Sequence, residues 1–472
     1  MPQILRTNSI KDTGYNVANS CRFDSGSTDH LDRTFGSAGN RKTFTVSFWL
    51  KTTTEETYNA IFDSGADGSN SDDLYFHTGR LNFSGYYGST QFMLRTKAKY
   101  RDPSAWYHFV VAFDTTLGTA SNRIKFYVNG VQETEFDDET YPSQNFQTSY
   151  MNLDRLHNIG TLTNNDEYPL DGYLAEMVFI DGSALDPTSF GEFDSDSPNI
   201  WKPINVSGLT FGTNGFYLDF ENSSSLGADQ SGNSNDFTAR NLTSVDQSTD
   251  TCTNNFATLN AVAQWDLGGS NVYSEGNLKC VLSSNFGKAT STIGVTQGKW
   301  YMEVKQTAEN IPLGNGESVI NVIGDPIYTT SNWNGYAQTF GLRNHNGYEY
   351  TGTTEATSRH GNWTAGDIIG VALDMDNLRV YFSKNGQWYD GSGNWDESSP
   401  NAYISLSSSY STYFLCLTLS HDSATETFEV NFGSPSFSIS SGNSDANGHG
   451  NFEYAVPSGY YALCTKNLAE FG

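Results

Sequence analysis

Ile124-Lys125-Phe126-Tyr127-Val128 runs into Asn129-Gly130, and much later Leu378-Arg379-Val380-Tyr381-Phe382 runs towards Asn385-Gly386. Each stretch reads as one arm of a hairpin. Type I′ turns need positive φ at both central residues, which Gly accepts freely and Asn better than most. Lys384 is placed to widen the second loop. Each pair follows a further apolar run, Trp106 to Phe113 in one case and Asp367 to Leu373 in the other. The repetition predicts an all-β chain with two analogous domains in tandem.

Composition agrees. The 472 residues include 14% aromatic and only 17% charged residues, with 45 Gly. Such a mix suits many short strands joined by polar turns, and the length suits two or three domains that each bury a core. No run carries 3.6-residue apolar spacing with caps over three turns.

The formal net charge is −27, so a phosphate backbone is repelled rather than gathered, and nucleic-acid binding is not expected. The five cysteines, Cys21, Cys252, Cys280, Cys416 and Cys464, are widely spaced and odd in number, without a C-x-x-C pair. They read as buried thiols rather than a disulfide framework or zinc site. The N-terminus lacks a signal-type apolar core and the apolar runs are strand-sized, so no membrane insertion is expected.

The chain divides into blocks. In the first, Phe44, Val46, Phe48 and Leu50 alternate with Thr45, Ser47 and Trp49, which places the four apolar residues on one face of a strand. Strands are predicted at 59–63, 74–77, 91–96, 106–113, 123–128 and 173–180, and the block spans residues 1–203. Residues 204–260 form a polar ordered connector with one strand candidate at 215–221. The second block, 261–472, carries predicted strands at 300–305, 337–342, 367–373, 379–383, 413–419 and 427–432.

These residues resemble known families. Ser20-Cys21-Arg22-Phe23-Asp24, Lys42 to Lys51, Trp106-Tyr107-His108 and Leu170 to Gly182 are similar to a laminin-G-like, concanavalin-type jelly roll, as found in structural proteins of tailed, especially marine, bacteriophages. Gly366 to Asp374, Val380 to Gly386 and Val430-Asn431-Phe432-Gly433 resemble a SPRY domain. Asp229 to Asp236 and Pro457 to Thr465 also resemble the phage versions. The resemblance implies two tandem concanavalin-like sandwiches joined by the connector.

Three kinds of chemistry are then weighed. Glu135-Phe136-Asp137-Asp138-Glu139 is an E-x-D-x-E string like that of laminarinase-type glycosidases, and period-two spacing would put Glu135, Asp137 and Glu139 on one face. It ends a hairpin arm and runs into Thr140-Tyr141-Pro142, which reads as a solvated strand end, so no catalytic residue is assigned. Glu192-Phe193-Asp194-Ser195-Asp196 lacks the closing Glu. No cofactor is expected, and calcium is the one ion entertained, held by oxygen-rich loops through Asp63, Asp67, Asp229, Asn233 and Asp236. Aromatic platforms for sugar rings are sought at Trp333, Tyr348, Tyr350, Trp363, Trp388, Tyr389 and Trp395.

The combined expectation is a non-enzymatic virion protein, a tail fibre, head fibre or capsid decoration. It is expected at the virion surface, oligomeric, in contact with other virion proteins and with a host-surface glycan or protein. The alternative is a carbohydrate-active enzyme of concanavalin-like fold.

Overall fold

In a computed structural model, Phe44, Val46, Phe48 and Leu50 lie on the central strand Thr43–Thr52 and are buried, as their alternation requires. The structure describes residues 14–53, 58–163, 165–262, 271–283, 287–310, 318–325, 338–344, 348–352, 354–356, 362–419 and 425–472. Chain contacts among the described residues separate two units, one up to Thr253 and a second from Asn254 to Gly472.

The first unit is a sandwich of two eight-stranded sheets. Its back sheet runs, in spatial order, Val131–Gln132, Ile124–Val128, Tyr107–Asp114, Thr43–Thr52, Gly172–Asp181, Ser20–Phe23 and Gln247–Ser248, with Phe216–Leu218 beside Gly172–Asp181. The front sheet runs Phe136–Thr140, Thr90–Thr96, Arg80–Tyr87, Asn70–His77, Asn59–Asp67, Leu156–Ile159, His30–Thr34 and Thr238–Arg240. Between the sheets pack Phe44, Phe48, Phe62, Phe83, Phe109 and Phe179, all at or near zero exposure. Each such side chain contributes about 1.5–3 kcal/mol by leaving water.

The residues expected as a connector do not stand apart. Phe216–Leu218 and Gln247–Ser248 pair within the back sheet and Thr238–Arg240 pairs with His30–Thr34 in the front sheet. Up to Thr253 the stretch belongs to the first unit, and from Asn254 to the second.

Both Asn-Gly pairs make the turns predicted of them, with φ of +48 and +79 at Asn129 and Gly130 and +50 and +80 at Asn385 and Gly386. A Cβ on Gly130 would lie 2.4 Å from the Trp201 ring, so close packing adds to the backbone requirement for Gly. Lys384 does not widen the second loop, because it pairs directly with Gln387.

The strand Gly172–Asp181 carries a register shift between Ala175 and Val178. Glu176 sits in this bulge with φ +49 and is buried. Tyr217 donates its hydroxyl to both Glu176 carboxylate oxygens, at 3.0 and 2.9 Å, and Tyr15 donates at 3.4 Å. A positive φ on a non-Gly residue costs of order 1–3 kcal/mol, which these bonds help offset.

The second unit is also two sheets. The larger includes Lys279–Ser283, Thr425–Asn431, Lys299–Asn310, Ile368–Asp374 and Arg379–Lys384, and the smaller includes Tyr413–Leu419, Ser318–Gly324 and Thr339–Arg343. Trp300, Val304 and Val371 from one meet Ile320, Leu415 and Leu417 from the other in a shared core. Among the described residues there is one α-helix, Thr465–Phe471, and no helix long and apolar enough to cross a membrane. Cys21, Cys280, Cys416 and Cys464 are buried free thiols and Cys252 is partly exposed; burial pushes every one of these thiols up.

Candidate functional site

The stretch Asp63 to Asp73, read from sequence as an acidic loop, is a hairpin. Asn59–Asp67 and Asn70–His77 pair along it, with Asp63 opposite Asp73. Alternation then turns Phe62, Leu74 and Phe76 to the core, while Asp63, Asp73 and Tyr75 take the outer face of the front sheet. The neighbouring strands Arg80–Tyr87 and Thr90–Thr96 add Ser84, Tyr86 and Met93 to that face.

These side chains floor a cavity of about 430 Å³. Its walls are Tyr58, Leu162, Thr163, Glu167 and Tyr168. Tyr58 stacks on Tyr75 at 5.5 Å between ring centroids and lies 4.7 Å from Tyr168. Leu162 N–H donates to Glu167 O at 3.0 Å, while Gly65 N–H donates to Thr163 Oγ1 at 2.7 Å. Tyr168 has φ +54 and is 45% exposed, so its ring stands at the mouth.

Asp63 and Asp73 lie side by side on the floor. Thr163 N–H donates to Asp63 Oδ1, and Ser71 Oγ donates to Asp73 Oδ2 at 2.7 Å. Burial, followed by the hydrogen bond to Asp63 and its charge, holds the Asp73 carboxyl well above the usual carboxylate range. Burial also pushes the Tyr75 hydroxyl up to about 12.

The acidic string 135–139 lies at the edge of the same sheet. It is spent on ion pairs: Lys97 with Glu135 at 3.1 Å, Arg80 with Asp137 at 2.8 Å and Arg95 with Asp138 at 2.8 Å. A bulge between Phe136 and Asp138 breaks the period-two spacing. Glu192 and Asp194 share Lys202, at 3.4 and 3.2 Å.

The oxygen-rich residues proposed for calcium divide. Asp229 takes four donors, the N–H groups of Tyr217, Ser231 and Asn235 and the Ser231 hydroxyl, at 2.7–2.9 Å. Asn233 donates to the carbonyls of Gly212 and Gly215, and Asp236 caps the N–H of Asp229. Asp67 accepts from Ser69 N–H and Asn70 Nδ2. These oxygens build their own turns. No cluster of three or more His, Cys, Asp or Glu able to hold a metal occurs among the described residues.

The aromatic set sought in the second block is mostly interior. Trp363 is 1% exposed in the core. Trp388 packs with Tyr301 and Phe452, Tyr389 is buried against Trp395, which is half-buried, and Tyr350 is buried with its hydroxyl accepting from Arg343 at 2.8 Å. These residues do not form an open platform. Trp333 and the side chain of Tyr348 lie outside the described residues.

Residues 25–188 match the family model of the concanavalin A-like lectin/glucanases superfamily, laminin-G type, and residues 293–403 match that of the SPRY domain. The chain carries a laminin-G-like domain followed by a SPRY domain. No curated protein matches it. The solved structures it is similar to include the SPRY domain of human HERC1 (20% identity, 34% of this chain and 96% of that one, TM-score 0.28). They also include the SAP-like pentraxin of Limulus polyphemus (15%, 36% and 80%, 0.28) and domains LG4-5 of the mouse laminin alpha1 chain (12%, 87% and 91%, 0.29). The cavity belongs to the laminin-G-like domain.

Of its residues, sequence reasoning singled out Asp63 and Asp67 and missed Tyr58, Asp73, Tyr75 and Tyr168. The available signal was the alternation Asp73, Tyr75, His77 beside Leu74 and Phe76, which marks one polar-aromatic face.

Proposed function

We propose that the chain is a non-enzymatic recognition protein whose laminin-G-like domain binds a glycan in the Tyr58–Asp73 cavity. The cavity itself carries the reading: tyrosine faces suit the C–H faces of a sugar, and carboxyl oxygens beside them accept its hydroxyls. Binding is favoured over hydrolysis because the paired carboxyls lie within hydrogen-bonding reach, nearer than the roughly 5 Å that a retaining pair keeps. The ion-paired string 135–139 supports the same preference.

The wider setting in this reading is the surface of a tailed-bacteriophage particle, as a tail fibre, head fibre or capsid decoration. There the chain is oligomeric, docks to other virion proteins and meets a host-surface glycan. What supports it is the resemblance of Asp229 to Asp236 and Pro457 to Thr465 to phage structural proteins. The SPRY domain serves as a second contact module or a spacer.

The test is a glycan array with the full chain and its Tyr58→Ala and Tyr168→Ala variants, with reducing-end release followed on the ligands that bind. Binding that both variants lose, without cleavage, is the expected result. A blank array, or binding that both variants retain, would remove the cavity reading, and cleavage would restore the glycosidase one. Cryo-electron microscopy of particles from the source tests the setting, which fails if no particle carries the chain.

A further inference from the structure

We propose that the cavity selects an amino sugar whose nitrogen is free and protonated. This inference rests on the glycan reading and narrows it. Four carboxyl groups line the space, Asp63, Asp67, Asp73 and Glu167, and no Lys, Arg or His stands among the described lining residues. On the adjoining outer face the cations are already engaged, Arg80 and Arg95 with Asp137 and Asp138. The described lining is therefore acidic, and Arg155 beside it is engaged with the Gly65 carbonyl at 2.6 Å.

A second observation points the same way. Asp73 Oδ1 is buried with no N–H donor of the protein on it, and its neighbour is the Asp63 carboxyl, whose Oδ1 takes a single N–H. A buried acceptor left so is costly, and a ligand that brings donors relieves it. An ammonium group supplies three N–H donors and one positive charge. Tyr58, Tyr75 and Tyr168 add ring faces, which attract a cation through the aromatic quadrupole. An N-acylated sugar brings one amide N–H and no charge, so it cannot supply donors to both facing carboxyls.

The experiment is calorimetric titration of the full chain with three probes: a glucosamine tetrasaccharide, its fully N-acetylated form and a glucose tetrasaccharide. The amine form is expected to bind at least about tenfold more tightly than the other two, equivalent to about 1.4 kcal/mol. Asp73→Asn should erase that preference. Because Asp73 is packed into the sheet, Glu167→Gln provides a second reading from an exposed rim position; it should weaken the amine probe about threefold, more than it weakens the acetylated one. Equal binding of all three probes, or preference for the acetylated one, overturns the amine selectivity and leaves the glycan reading intact. Failure of all three, with a blank glycan array, overturns both.

Discussion

Lys51 Nζ lies 2.7 Å from Asp250 Oδ2, and neither side chain reaches solvent. The pair joins the central strand of the back sheet to the last residues of the first unit, and Trp106 Nε1 donates to the other Asp250 oxygen at 3.0 Å. Removing one charge strands the other in a low-dielectric interior, where a lone partner costs about 3–5 kcal/mol. Asp250→Ala should lower the stability of this unit by that amount in urea unfolding. The double variant Lys51→Met/Asp250→Leu should lose less than the single one, because no charge is left behind.

Glu176 predicts a pH dependence. Burial is the main cause that raises its carboxyl from 4.5 to about 7, against the hydrogen bonds from Tyr217 and Tyr15 that lower it. The folded state thus binds a proton that the unfolded chain releases near 4.5. Its contribution is full below pH 4.5 and is lost as pH rises to about 7, a change of about 3 kcal/mol at about 1.4 kcal/mol per pH step. Glu176→Gln should flatten the stability profile across this window, and an unchanged slope would count against a buried neutral acid.

Asp229 predicts the outcome of metal removal. With four donors on its carboxylate, no lone pair is held open for calcium, so a chelator should leave the Tm where it was. Asp229→Ala, in contrast, leaves those donors without an acceptor and should cost about 2–3 kcal/mol. A fall of Tm in chelator that calcium reverses would return an ion to the protein.

Trp363 predicts that the second-block aromatics support structure rather than ligand. At 1% exposure, Trp363→Ala opens a core cavity and should cost about 3–5 kcal/mol. Glycan affinity measured on the folded protein at low temperature should not change.

What could be read in the chain follows from where each signal resides. Phe44 to Leu50 and the two Asn-Gly turns are local patterns, a period of two and a φ requirement, and the fold class came from them. The strand Arg80–Tyr87 escaped because Gly79, Gly85 and Gly88 punctuate it like a loop, although Leu81 and Phe83 alternate inward. Ser318–Gly324, buried throughout, shows no alternation that would separate it from other short apolar runs. The cavity was harder still. Tyr58, Asp73 and Tyr168 meet only after the front sheet has formed, so no window of sequence contains them together. Asp229 and Asp236 misled because the residue types that bind calcium also cap N–H groups in turns.

The edge of the back sheet determines how the first unit answers to force. Ser20 pairs with Ser248 and Cys21 with Gln247, antiparallel, so the chain arrives and departs at the same end of that ladder. Tension applied through the two ends peels these bonds one after another instead of shearing them together. The bonds of Val17 with the Thr253 hydroxyl and the Lys51–Asp250 pair lie nearer the two ends and take the load before the ladder does. A molecule tethered through this unit gives way gradually under load, a soft spring rather than a brittle link.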